Sequence, residues 1–144
     1  MTQNDISNRL ALNLLEELNF ITSEIVKLSD SISSLKEYES NPELQEISSY
    51  YLNSLIDNII AIAKNLLVSK GDIIFGRNSK GLIERLYERK IIDEEVKNIM
   101  LEIISYKDRV IAPFFDVPLS QVYDFLKQKD KFIKVNDALK MAYR

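Results

Sequence analysis

Ile104-Ser105-Tyr106-Lys107-Asp108-Arg109-Val110-Ile111-Ala112-Pro113-Phe114-Phe115-Asp116-Val117 is the stretch on which the reading of this chain turns. An apolar helical phase runs into three consecutive charges, then into a proline and two aromatics. Proline disfavours helical backbone at the residue before it, so the helix entering this stretch is expected to end at Ala112. Near that end, Lys107, Asp108 and Arg109 read either as solvated charge complementing the helix dipole or as a binding set. Pro118 opens a further helix with Val122, Phe125 and Leu126 inward.

Upstream, Val96, Ile99, Met100, Ile103, Ile104 and Val110 would line the inner face of the helix that Asp93-Glu94-Glu95 begins. A short helix places Leu82, Ile83 and Leu86 inward. Residues 71–80 read as a loop, with Ile73, Ile74 and Phe75 expected to tuck back onto the bundle. No Walker or dinucleotide pattern surrounds its glycines, which argues against a phosphate cradle. Asn41-Pro42-Glu43 combines an N-cap side chain, a proline at the first helical position and an acid facing the dipole. The helix it starts has no breaker before Gly71. Tyr51, Leu55, Ile59, Ile62 and Leu66 form one stripe, and Leu52, Ile56, Ile60 and Leu67 widen it. A face this wide implies burial on two sides, one against the chain's own bundle and one against a second subunit.

Ile6, Leu10, Leu14, Leu18, Ile21, Ile25, Leu28 and Ile32 recur at spacings of three and four, the mark of a long amphipathic helix beginning near Asn4 or Asp5. The serine-rich stretch 29–34 competes for backbone hydrogen bonds and should fray or bend it. Asn136 would cap a last short segment reaching Ala142. No strand pattern and no internal repeat appears. The expected architecture is all-α: an up-and-down bundle of roughly four or five helices forming a single domain over residues 1–144, with a basic helical extension from about residue 127.

At 144 residues with 46% hydrophobic side chains, the length suits one domain with a proper core. The chain has no cysteine and no histidine, which removes disulfides, thiolate nucleophiles and nearly every route to a transition-metal site. No acidic cluster calls for Mg²⁺ either, so no cofactor and no metal is expected. The polar start Met1-Thr2-Gln3-Asn4-Asp5 lacks the features of a secretion signal. The longest apolar run, Ile59-Ile60-Ala61-Ile62-Ala63, is too short for a membrane span. A cytoplasmic protein with no membrane partner is expected. A net charge of -3 gives no bulk attraction to nucleic acid. Lys127, Lys129, Lys131, Lys134, Lys140 and Arg144 read as a solvated helix face rather than a binding surface.

The segment 104–117, followed by Leu119, Val122, Phe125 and Leu126, resembles the HepT-like branch of the HEPN superfamily, whose members are small helical dimers. Asn41-Pro42-Glu43-Leu44 and the stripe over 55–66 add to the resemblance, which spans about residues 8–126. The family segment usually reads Phe-Arg-Asn-x-x-x-His-x-Tyr. Here Tyr106 holds the aromatic position, Lys107 the arginine, Asp108 the asparagine, Ala112 the histidine and Phe114 the tyrosine. The resemblance implies that the arginine and histidine cleave RNA in active members, and that the tyrosine accepts a nucleotidyl group from a partner nucleotidyltransferase. Alanine cannot transfer a proton, and Phe114 lacks the accepting oxygen. Lysine keeps the charge of arginine but not its planar fork, and Arg109 lies two positions on. Asp57 and Ala61 align with acidic positions of the family, of which Asp57 keeps one. Asp57 reads more readily as a polar residue at the bundle edge than as a functional one. Tyr50, Tyr51, Tyr87, Tyr106 and Tyr123 read as core or interface aromatics rather than nucleophiles.

These residues point first to a noncatalytic HepT-like protein. It would be a homodimer binding a minimal nucleotidyltransferase, with RNA or a nucleotide as further ligands, through a cleft of Asp57, Tyr106, Lys107, Asp108 and Arg109. The alternative from another class is a divergent ribonuclease using Lys107 and Arg109. A third reading is a dimeric scaffold with no ligand.

Overall fold

In the computed structural model, residues 3–144 are described, with side chains from residue 8 onward. The Ile6 side chain therefore lies outside the described residues. Seven helices and one small hairpin follow in order among them. They are α1 (Gln3–Ser31), α2 (Leu35–Ser40), α3 (Pro42–Ser69), α4 (Ser79–Glu88), α5 (Glu94–Ile104), β1 (Val110–Ile111), β2 (Phe114–Phe115), α6 (Leu119–Leu126) and α7 (Lys129–Ala142). The fold is an all-α bundle in which α1 and α3 form the longest pairing. Asn58 on α3 donates to the Leu14 carbonyl of α1 at 3.1 Å.

Helix starts follow the local chemistry. The Asn41 side chain accepts the Leu44 N–H at 3.2 Å, and Asp93 accepts that of Val96 at 2.8 Å. The serine-rich stretch ends α1 at Ser31, as expected of side chains that compete for the backbone: Ser31 Oγ donates to the Leu28 carbonyl at 2.8 Å. It also starts α2, which the periodicity alone does not foretell. Ser34 Oγ accepts the Glu37 N–H at 3.1 Å, while the Glu37 carboxylate accepts the Ser33 N–H at 2.8 Å. This reciprocal arrangement resembles a capping box, and the spacing Ser34-x-x-Glu37 carries it. The Ser33 bonds hold the Glu37 carboxyl below its ordinary range. Next in α2, Tyr38 is fully buried with its hydroxyl 2.6 Å from Ser48 Oγ on α3. Burial pushes that phenol up.

Apart from the half-buried Tyr51, both stripes of α3 are buried within the chain itself. Leu55, Ile59, Ile62 and Leu66 on one, and Leu52, Ile56 and Leu67 on the other, are at most 1% exposed. Helices α1, α4 and α5 and strand β1 cover them. The breadth that suggested a second subunit is thus accounted for by intramolecular packing. At the C-terminus of α3 the chain turns through Gly71 at φ +80°, where its N–H reaches the Val68 carbonyl at 3.0 Å and that of Asp72 the Leu67 carbonyl at 2.8 Å. In the following loop only Ile74 packs inward. Ile73 is 73% and Phe75 94% exposed, so two of the three residues expected to tuck back point outward. The Asp72 carboxylate accepts from Arg85 Nε and Arg89 Nη1, each at 2.8 Å, while Ile73 and Phe75 beyond it face solvent.

Helix α7 runs unbroken from Lys129, so Asn136 caps nothing. It is a buried mid-helix residue donating to Asn19 Oδ1 at 3.2 Å. Phe132, Val135 and Leu139 are at most 1% exposed and pack into the core between α1 and α5. The basic tail is not simply solvated. Lys127 donates to the Ser29 and Ile32 carbonyls at the end of α1, Lys129 pairs with Asp30, Lys131 with Glu102 and Lys134 with Glu95. Cations placed against the free carbonyls of a helix C-terminus are favoured there. Finally, Tyr143 donates to Asn65 Oδ1 at 2.5 Å, and burial pushes its phenol up to about 12.

Candidate functional site: a hairpin clamped to the third helix

Helix α5 stops at Ile104, eight residues before Ala112. Its end is made by Tyr106 N–H to the Ile103 carbonyl at 3.2 Å and Lys107 N–H to the Ile104 carbonyl at 3.1 Å. Asp108 then takes φ +61°, in the left-handed region that terminates a helix. Lys107, Asp108 and Arg109 accordingly stand in a turn, not in a last helical turn. Val110 leaves the helical phase to begin β1, which pairs antiparallel with β2 in the register Val110 with Phe115 and Ile111 with Phe114. Strands two residues long are too short for alternation to register in sequence.

The hairpin is fastened to α3 by side chains that nothing local in the sequence marks. Ser49 Oγ donates to the Val110 carbonyl and accepts the Ala112 N–H at 3.3 Å. Asn53 Nδ2 donates to the same Val110 carbonyl at 2.9 Å. Ser49 is 7% exposed and Val110 is fully buried. Below the clamp, Tyr106 stacks on Phe125 with ring centroids 4.6 Å apart and an interplanar angle of 17°. Only its hydroxyl reaches outward, accepting from Gln121 Nε2 at 3.2 Å. Tyr106 therefore supports the turn from beneath.

The charged trio is exposed above this base. Arg109 is not free to swing: its guanidinium lies 3.7 Å from the Asp116 carboxylate and 3.3 Å from the Asp116 carbonyl, and its own carbonyl accepts the Asp116 N–H at 2.8 Å. Asp57 is exposed on α3, one helical turn beyond Asn53. Among the described residues no hydrogen bond or ion pair joins Asp57 to the trio. The concavity nearest Ala112 has a volume of about 300 Å³ and is lined by Pro42, Gln45, Glu46, Ala112 and Pro113. Its sole ionisable lining group is a carboxylate, which suits an anion poorly. Phe114 is 84% and Ile111 49% exposed on the hairpin. The site thus presents an exposed apolar hairpin residue and a charged turn, both carried on a segment hydrogen-bonded to α3.

A family model described as ribonuclease HepT-like matches residues 14–136. The chain belongs to the HepT-like ribonuclease family. That family is one of the HEPN superfamily, and the bundle described above is the all-α architecture the resemblance implied. No curated protein and no solved structure matches the chain. The HepT-like match takes in α3, the turn, the hairpin, α6 and the first half of α7. Among the described residues no group of three or more acidic side chains could hold a metal ion, and no helix is long and apolar enough to cross a membrane.

Proposed function

We propose that this HepT-like protein binds rather than cleaves: a homodimer that engages a minimal nucleotidyltransferase, as in a toxin and antitoxin pair, through the turn and hairpin at 107–114. The observation carrying this reading is Phe114, 84% exposed at the tip of a hairpin that Ser49 and Asn53 hold against α3. An aromatic held in solvent has little to gain in an isolated protein and much to gain in a partner's pocket. Lys107 and Asp108, exposed in the turn that leads into the hairpin, supply polar groups of the kind that fix register. The absence of a proton-transfer side chain at Ala112 and of a phenol at Phe114 supports the noncatalytic half of the reading.

Coexpression with a minimal nucleotidyltransferase encoded beside this gene tests it. The pair should copurify, and Phe114→Asp should abolish the complex while leaving thermal stability unchanged. A complex that survives Phe114→Asp would place the contact elsewhere. RNA cleavage lost on Lys107→Ala would overturn the noncatalytic assignment.

A further inference from the structure

The two ends of α3 carry opposite charge and complementary shape. Between residues 70 and 90 there are six cations and three carboxylates, in a chain whose net charge is -3. Between residues 37 and 63 there are five carboxylates and no cation. At the first end Ile73 and Phe75 stand in solvent, 73% and 94% exposed. Arg77 Nε donates to the Ile73 carbonyl at 3.2 Å, which stiffens the tip further. Among the described residues neither Lys70 nor Arg77 pairs with a carboxylate. The result is an apolar knob with a cationic collar.

At the other end, Glu43, Glu46, Ile47, Tyr50 and Tyr51 line a concavity of about 390 Å³. Its wall is aromatic: Tyr50 and Tyr51 meet edge to face with centroids 5.3 Å apart, and Tyr50 is 66% exposed. Its rim is acidic, and among the described residues Glu43 and Glu46 form no ion pair. The volume accommodates a phenyl ring, for which an aromatic wall gives favourable edge contacts.

We propose that the Ile73 and Phe75 knob of one copy docks in the Glu43, Glu46 and Tyr50 cup of another. Knob and cup lie at opposite ends of a 28-residue helix, about 40 Å apart. The contact is therefore heterologous, head to tail, and each copy that uses both ends extends the assembly. It does not depend on the nucleotidyltransferase reading. Both faces are exposed, so the association is weakened by salt.

Sedimentation velocity across concentrations, on the whole chain, tests the contact. The wild type should grow in average mass up to millimolar protein. Phe75→Asp and the double variant Glu46→Lys with Tyr50→Ala should each remain at one concentration-independent size, an association constant weaker by about tenfold or more. All three substituted side chains are exposed, so circular dichroism should find each variant folded. The decisive arm is the equimolar mixture. One variant keeps its cup and the other its knob, so mixing should restore association. Concentration-independent wild type, unaltered variants or an inert mixture would each overturn the proposal. Binding of the wild type but not Phe75→Asp to vesicles of anionic lipid, without self-association, would assign the knob to a membrane surface instead. Copurification of Phe75→Asp with a nucleotidyltransferase would be expected either way, which keeps the two readings apart.

Discussion

Ser49 and Val110, 61 positions apart in the chain, share one hydrogen bond: the Ser49 hydroxyl donates to the Val110 carbonyl in the interior of the bundle. Because the same hydroxyl accepts the Ala112 N–H, a single oxygen holds β1 and the first residue of the turn against α3. The strand that pairs with Phe114 is anchored to α3 by these bonds.

Replacing that hydroxyl should therefore loosen the hairpin out of proportion to the atoms removed. Ser49→Ala is expected to cost about 1–3 kcal/mol, because the Ala112 N–H loses its partner and the Val110 carbonyl keeps only Asn53. Thermal unfolding reads the cost, and limited proteolysis should show earlier cutting near residue 113. Unchanged stability would mean that the clamp is replaced by water.

Val110 and Phe114 occupy one hairpin yet should respond in opposite ways. Val110→Ala empties a fully buried site and is expected to destabilise by roughly 2 kcal/mol or more. Phe114→Ala should stay within about 0.5 kcal/mol of the wild type, as exposed substitutions do. Denaturant melts of the two variants compare them directly. A large loss at Phe114 would contradict its exposure.

Asp72 sets an acid limit on the α3–α4 loop. Burial works to raise its carboxyl, but bonds from Arg85, the Ile73 N–H and Arg89 outweigh it and hold the group at about 2, below its ordinary 3.8. A depressed folded value means the contribution is complete above the unfolded pKa and is lost as pH falls from about 3.8 through about 2. Asp72→Asn should lower stability at neutral pH and flatten the pH dependence across that acid window. A variant that unfolds in acid as the wild type does would show that Asp72 contributes nothing.

Lys90 ends α4 in the conformation that Gly71 adopts at the end of α3. Its φ is +59°, its N–H reaches the Tyr87 carbonyl at 2.9 Å, and that of Ile91 reaches the Leu86 carbonyl at 2.9 Å. Glycine carries no Cβ penalty there, whereas lysine does. Lys90→Gly is expected to stabilise by about 1 kcal/mol, read as a rise in melting temperature. A drop would mean that the lysine side chain contributes more than the backbone strain removes.

Much of the bundle was legible because helix physics is local. Asn41 and Asp93 cap where their spacing says they should, and the i, i+3, i+4 stripes of α3 and α5, and that of α1 from Leu18 onward, mark buried faces, whereas Leu10 earlier in the α1 stripe is 50% exposed. The short helix α2 was legible too, through Ser34-x-x-Glu37, but only to a reading of caps rather than of periodicity. The end of α5 was not. Pro113 forbids helix at Ala112, yet the chain had already left the helix at Ile104, because Asp108 adopts a left-handed backbone and Val110 is drawn into the core under Ser49. The same holds for Asn136, whose capping chemistry is outweighed by a partner on α1.

By itself the sequence marked most helix starts and most of the buried faces, since each depends on neighbours within a turn or two of the chain. Tertiary structure alone decided where the charged turn and Phe114 point and what holds them. Ser49 and Asn53 meet Val110, and Asp72 meets Arg85 and Arg89, only after α3 has packed against the rest of the bundle. Hydrogen bonds across 61 or 57 residues leave no periodic trace, because their partners are chosen by the fold and not by spacing.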